Sequence, residues 1–160
     1  MLNITLITVG KLKEKYLREA CAEYEKRLRT SCKLSIIELA PQKLSDSPSD
    51  NEKLQALSLE GKKIAEKIPR GSYVYTMCIE GKQRNSEKFA RELMQCTVKG
   101  FSSIVFIIGG SFGLSDEVKK LSSSRFSMSE MTFPHQVARV MLLEQIYRAM
   151  QINLGTKYHK

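Results

Sequence analysis

The chain has 160 residues, 42% of them hydrophobic, with 26 Lys and Arg against 17 Asp and Glu, a formal charge of +9. That length fits one domain able to bury roughly two-thirds of its unfolded surface. The apolar content excludes a disordered chain, and no uncharged run approaches the roughly 20 residues of a membrane span. The opening MLNITLITVGK puts its apolar run before its basic residues, the reverse of a signal peptide. Cys21, Cys32, Cys78 and Cys96 stand far apart, without a C-x-x-C pair and with only two histidines in the chain. No zinc site, disulfide scaffold or membrane association is therefore expected, and a reduced, cytoplasmic setting fits. By quarters of 40 residues the charge runs +3, 0, +3 and +3, so no basic tail explains the total. Folding or oligomerisation must gather the basic groups around a phosphate-bearing partner; otherwise they are only a solvated basic surface.

The first strand is expected over Ile4 to Val9, closed by Gly10. Leu17, Ala20, Cys21, Tyr24 and Leu28 then recur at helical spacing. Leu34 to Leu39 reads as a second strand, followed by a Pro- and Ser-rich loop from Ala40 to Asn51. Ser49 and Glu52 have capping-box spacing for a helix with Leu54, Leu57, Gly61, Ile64 and Ile68 inward. Tyr73 to Ile79 is a third strand. Ser86 is placed to cap a helix carrying Phe89, Leu93 and Cys96 or Thr97 and ending near Gly100. Ile104 to Ile108 is continuously apolar, as a strand covered on both faces should be. It runs into Gly109-Gly110-Ser111-Phe112-Gly113. A short helix from Ser115 to Leu121 and a weak strand over Arg125 to Ser129 precede a last helix from Pro134 to about Ile152. Alternating strands and helices give an α/β fold with a mainly parallel sheet and helices on both faces.

Ligands of such sheets bind beyond the carboxyl ends of the strands. Three loops leave those ends: the one from Gly10-Lys11, Glu80-Gly81-Lys82, and the Gly109 to Gly113 turn. Adjacent glycines let a backbone approach a flat ligand closely, although the same turn could serve only to join strand and helix. The segment is not G-x-G-x-x-G, and Gly81-Lys82 lacks both the upstream glycine and the Ser/Thr of a P-loop. No H-E-x-x-H helix or Ser-His-Asp order is present, which removes the common hydrolase and NTPase classes.

On the last helix Glu144, Gln145, Arg148 and Gln151 form one polar stripe, and nearly everything else is apolar. An apolar arc that wide asks for a second covering partner, most simply another subunit. Arg139 stands on this apolar side, one turn after His135, and needs either a carboxylate or a phosphate. His135 could equally be a neutral histidine satisfied by backbone. The terminal Gly155-Thr-Lys-Tyr-His-Lys, if folded back, offers a cation, a stacking ring and an imidazole suited to RNA.

Several segments together carry a resemblance: Leu6 to Tyr16, Glu23 to Arg27, Phe106 to Leu114, Met131 to Gln136, Glu144 to Arg148, and the final Tyr158-His159-Lys160. Over its whole length the chain resembles the RlmH family of SPOUT-class ribosomal RNA methyltransferases. The resemblance implies a C-terminal trefoil knot, against the usual rule of unthreaded chains. It also implies a homodimer, S-adenosyl-L-methionine as methyl donor, and methylation of N3 of pseudouridine 1915 in 23S rRNA of the assembled ribosome. Carried over residue by residue, the cofactor pocket would comprise Met77, Gly109, Gly110 and the knot loop Met128, Ser129, Glu130, Met131, Thr132 and Phe133. Met77 replaces a frequent Leu of similar size. The knot loop would bind adenine through backbone groups, consistent with the missing nucleotide fingerprints.

Methyl transfer to an imide nitrogen requires in-line positioning and removal of the N3 proton. His159 or His135 is the expected proton acceptor, with Arg139 stabilising the developing anion. Lys11, Lys13 and Lys15, at the same sheet edge, are expected to hold rRNA phosphate together with Tyr158 and Lys160. The competing reading is a non-enzymatic RNA- or ribosome-binding α/β module, which would have no reason to bind S-adenosylmethionine.

Overall fold

The computed structural model describes residues 1–160. Strand β1 spans Leu2–Val9, helix α1 Lys15–Leu28, β2 Cys32–Leu39 and α2 Asp50–Lys67. They are followed by β3 (Tyr73–Gln83), α3 (Ser86–Val98), β4 (Ser103–Ile108), α4 (Asp116–Leu121), β5 (Ser124–Ser127) and α5 (His135–Asn153). All ladders are parallel, in the order β2-β1-β4-β3-β5. Side chains alternate across the sheet, so each apolar strand feeds two cores. Ile4, Leu6, Phe106 and Ile108 pack under α1, α3 and α5 with Tyr75, Phe89, Leu142 and Ile146. Ile7, Val9, Val105 and Ile107 face the opposite layer with Ile64, Leu114 and Val118.

Helix α2 begins as its sequence requires. The Ser49 hydroxyl accepts from the Glu52 N–H while the Glu52 carboxylate accepts from the Ser49 N–H. Gly61 and Ile64 are buried as expected and Leu57 and Ile68 are half-buried, whereas Leu54 is exposed and Ala56 is buried in addition. At Gly61 the approach is close: a Cβ there would lie 2.6 Å from Ser115 Oγ, the hydroxyl that caps α4. The helix therefore packs tightly against the start of α4. Helix α3 is capped by Asn85, whose carbonyl accepts from the Lys88 N–H at 2.8 Å, rather than by Ser86. Ser86 instead donates to Gln145 of α5.

Strand β3 runs four residues beyond the expected Ile79. Its ladder with β5 jumps from Met77–Phe126 to Lys82–Phe126, a bulge absorbing Cys78 to Gly81. Gly81 permits the close crossing, since a Cβ there would meet the Phe126 backbone at 2.7 Å.

Helix α5 lies against both α1 and α3. Its apolar arc is thus largely covered within the chain: Leu142, Leu143, Ile146 and Ala149 are buried, Val140, Met141, Tyr147 and Met150 are half-buried, and Val137 is exposed. The breadth of that arc is the signature of a helix wedged between two others. It does not by itself require a second subunit.

Candidate active-site cleft

Past the carboxyl ends of β3, β4 and β5 lies a cleft of about 840 Å³, within the ordinary range for small-molecule sites. Three segments wall it. Met77 to Glu80 come from the end of β3, Ile108 to Leu114 from the glycine turn, and Phe126 to His135 (Glu130 excepted) from β5 and the loop after it. This is the sheet end where parallel α/β proteins place their ligands.

The glycine turn is held shut by its own backbone. Gly110 and Gly113 form a bridge, with the Gly113 N–H donating to the Gly110 carbonyl at 3.1 Å. A Cβ on Gly109 would sit 2.3 Å from the Gly113 oxygen, so only glycine lets the chain fold back this closely. Gly113 has a φ of +81°, left-handed backbone that glycine adopts without strain.

The loop from Met128 to Phe133 keeps its shape through two serines. Buried Ser127 donates to the Ser129 carbonyl at 2.9 Å, and the Met131 N–H donates to Ser129 Oγ at 3.1 Å. No main-chain group from Met128 to Phe133 bonds to another main-chain group. Across the cleft, Cys78 to Gly81 have no ladder partner in β4 or β5. The loop, without main-chain hydrogen bonds, and the bulged Cys78 to Gly81 segment thus flank an apolar slot lined by Met77, Ile108, Leu114 and Phe133. Such a slot suits a flat heterocycle with hydrogen-bonding edges. Lys119 and Glu80 form an ion pair in the same wall, and that partner holds the Glu80 carboxyl below its usual range.

Of the residues expected to hold the cofactor, Met77, Gly109, Gly110, Met128, Ser129, Met131, Thr132 and Phe133 line the cleft; Glu130 belongs to the same loop but not to the lining. His135 also lines it, its imidazole lying over Gly10, where a Cβ would come 3.0 Å from Nε2. Burial, then the Lys13 and Arg139 charges, lower the His135 pKa from its ordinary value. The shift favours the neutral ring, the form that can accept a proton.

Arg139 is elsewhere. It is buried and pairs at 2.7 Å with Glu38 of β2, leaving its Nε without a partner. Of the two partners left open by the sequence, the structure supplies the carboxylate. Lys11, Lys13 and Lys15 are exposed, and the Lys13 N–H donates to Gln136 at 2.8 Å, tying that loop to the start of α5. The tail folds back along α5, outside the cleft of its own chain. Tyr158 donates to Glu144 Oε1 at 3.1 Å, meets Tyr147 edge to face and lies under the Arg148 guanidinium. His159 bridges Arg148 at 3.2 Å and Glu87 at 3.0 Å. Lys160 is exposed beside it. The polar stripe on α5 was legible as a stripe, but not as the anchor of this tail. Glu144 and Arg148 are the members that sequence reasoning passed over, and their i, i+4 spacing was the available signal.

A family model described as predicted SPOUT methyltransferase matches residues 2–159. Proteins named ribosomal RNA large subunit methyltransferase H from Clostridium perfringens and Streptococcus sanguinis are 52% and 51% identical over 159 residues, spanning 99% of this chain and all of theirs. The chain belongs to the RlmH family of SPOUT methyltransferases. A solved structure of a probable methylase family protein from Haemophilus influenzae superposes with a TM-score of 0.53 at 12% identity, covering 99% of this chain and 70% of that one. That likeness speaks for the fold alone. As an RlmH-family member the protein is a methyltransferase. No helix is long and apolar enough to cross a membrane, and no cluster of three or more His, Cys, Asp and Glu could hold a metal ion.

Proposed function

We propose that the protein transfers a methyl group from S-adenosyl-L-methionine to N3 of pseudouridine 1915 in 23S rRNA, acting on the assembled ribosome as a cytoplasmic homodimer. The observation carrying this reading is the cleft itself, whose lining includes eight of the nine residues that the resemblance assigned to the cofactor. The residues present fit that cofactor. Main-chain groups of the 128–133 loop that lack main-chain partners match the edges of an adenine, and the apolar slot matches its faces. The Glu80–Lys119 pair offers one charge of each sign toward a zwitterionic amino-acid end. When bound, the cofactor supplies an electrophilic methyl group on a sulfonium.

The chain's own contribution is positioning and proton removal. The Gly110–Gly113 bridge and the serine-braced loop fix two walls before any ligand arrives, which limits the ordering cost of binding. An imide N3–H must lose its proton as the new bond forms. His135 is the cleft's own candidate acceptor, neutral and seated on Gly10. His159 is held outside the cleft by Glu87 and Arg148, so it reaches a reaction centre only as part of a second protomer's tail. Arg139, paired with Glu38, acts on His135 from below through its charge and contributes no cleft contact. Ile79, Phe112 and Met131 are exposed at the mouth of the cleft, with Val137 on the adjoining turn of α5. This rim gives the partner protomer an apolar seat, and the knot expected of the family would lock the loop behind it.

The test is incubation with labelled S-adenosylmethionine and intact ribosomes, separated subunits or naked 23S rRNA. Label in the 23S rRNA of intact ribosomes, at the pseudouridine, supports the reading; cofactor binding without label in any RNA overturns it.

A further inference from the structure

Behind the cleft wall lies a buried cation that the chemistry above does not use. Arg84, one residue past the end of β3, has a side chain only 5% exposed and takes no part in lining the cleft. Its Nε pairs with the Glu92 carboxylate of α3. One terminal nitrogen donates to the Lys82 carbonyl at 2.8 Å and to the Arg125 carbonyl at 3.3 Å, and the other donates to Ser124 Oγ. The guanidinium also lies over the Phe126 ring, 4.9 Å from its centroid. One side chain thus holds three consecutive residues of β5, Ser124, Arg125 and Phe126, to the end of β3 and to α3.

A buried ion pair is a poor source of stability, because desolvation offsets its attraction and a well-packed apolar side chain often does as well. What a guanidinium adds over an apolar group or an ammonium is a rigid fork of donors with fixed directions. Strand β5 has need of such a fixture. It is four residues long, lies at the sheet edge with β3 as its one neighbour, and its ladder is interrupted between Met77 and Lys82. From β5 the chain enters the 128–133 loop directly. Phe126 and Ser127 line the cleft, and the Ser127 hydroxyl holds the Ser129 carbonyl. The loop has no main-chain hydrogen bonds, so its place depends on where β5 ends. We propose that Arg84 is a positioning residue for cofactor binding: by fixing β5 it holds the 128–133 loop in the geometry that receives S-adenosylmethionine. This rests on the cofactor reading above and adds a residue outside the cleft that sets the shape of its wall.

The test compares the wild-type protein with Arg84→Lys, Arg84→Met and Leu28→Val. Lysine keeps a charge for Glu92 but, as a single point charge, cannot span Ser124 and both carbonyls as well; methionine keeps the packing against Phe126. Leu28→Val removes buried volume from α1, which packs on α5 and on β2 at the opposite edge of the sheet, and so controls for lost stability alone. The measurements are S-adenosylmethionine affinity by calorimetry, methylation of ribosomes at varied cofactor, and hydrogen exchange at Phe126, Ser127 and Met131 in the ligand-free protein. Both Arg84 variants should lose on the order of 10- to 100-fold in cofactor affinity. They should raise KM for the cofactor while leaving kcat at saturation close to wild type, and exchange should quicken at all three amides. Leu28→Val should do none of these. Wild-type affinity and exchange in Arg84→Lys, or an equal loss of affinity in Leu28→Val, overturns the proposal. Failure of the wild-type protein to bind S-adenosylmethionine overturns the cofactor reading instead, and exchange at the three amides still decides whether Arg84 holds the loop.

Discussion

Replacing Gly109 by alanine probes the cleft at its tightest point. The new Cβ would lie 2.3 Å from the Gly113 carbonyl oxygen and 2.5 Å from its carbon, where real contacts begin near 3.0 Å. Both obstacles are backbone, so the turn itself must open by at least 0.7 Å. The Gly110–Gly113 bridge is the link that yields. Overpacking of this sort costs about 1–3 kcal/mol, a melting-temperature drop of several degrees at roughly 2–4 °C per kcal/mol. The ligand-facing effect is larger in proportion. A site needs its groups within about 0.5 Å of the productive geometry, and a misplacement near 1 Å costs on the order of 100-fold. Gly110→Ala is the matched comparison. Its Cβ meets only Val9 Cγ1 at 3.3 Å, the end of a side chain, and neither glycine has a positive φ. Calorimetric titration with S-adenosylmethionine should show Gly109→Ala losing about two orders of magnitude in affinity and Gly110→Ala less than one. Equal losses, or the reverse order, would refute the turn-opening argument.

Three further outcomes follow from the same geometry. Glu38→Gln should destabilise the fold by about 1–3 kcal/mol, more than Arg139→Met. It strands a guanidinium whose side chain is 8% exposed, whereas the Met variant leaves a carboxylate 35% open to water; denaturant midpoints showing the opposite order would contradict the pairing account. His135 carries a lowered pKa when folded, so the unfolded chain binds its proton first. Stability from this residue is complete above the ordinary imidazole value of 6.5 and declines as pH falls through it. If His135 also takes the N3 proton, His135→Gln abolishes the acidic limb of kcat/KM, and an unchanged limb rules it out as the base. Gly81→Ala should detach β5 from the end of β3, because its Cβ would meet the Phe126 backbone; hydrogen exchange should then rise at Phe126 and Ser127 and remain unchanged in β1.

Much of the scaffold could be read from local chemistry. The apolar run of β4 and the capping box of α2 each depend on neighbours in sequence and stand as expected, while Pro134 precedes α5 as its N-cap, one residue before the helix begins at His135. What escaped depends on partners distant in sequence. The extension of β3 comes from a bulge against β5, Leu54 is left exposed in the first turn of α2 while Gly61 on the same face meets Ser115, and Ser86 yields its cap to Asn85 while reaching Gln145. The cleft was approachable because its walls are strand ends and adjacent glycines, features with a sequence signature. The tail network was not: Glu144, Arg148, Tyr158, His159 and Glu87 converge only when the chain turns back at Gly155. The charge of +9 likewise had no visible focus in the sequence.

The central claim is methyl transfer to ribosomal RNA, and the most direct measurement is mass mapping of 23S rRNA after incubating the purified protein, S-adenosylmethionine and ribosomes lacking the modification. The account predicts a single added methyl on N3 of the pseudouridine in intact ribosomes, absent with Gly109→Ala. A protein that binds the cofactor and the ribosome yet adds no methyl to that RNA would contradict it.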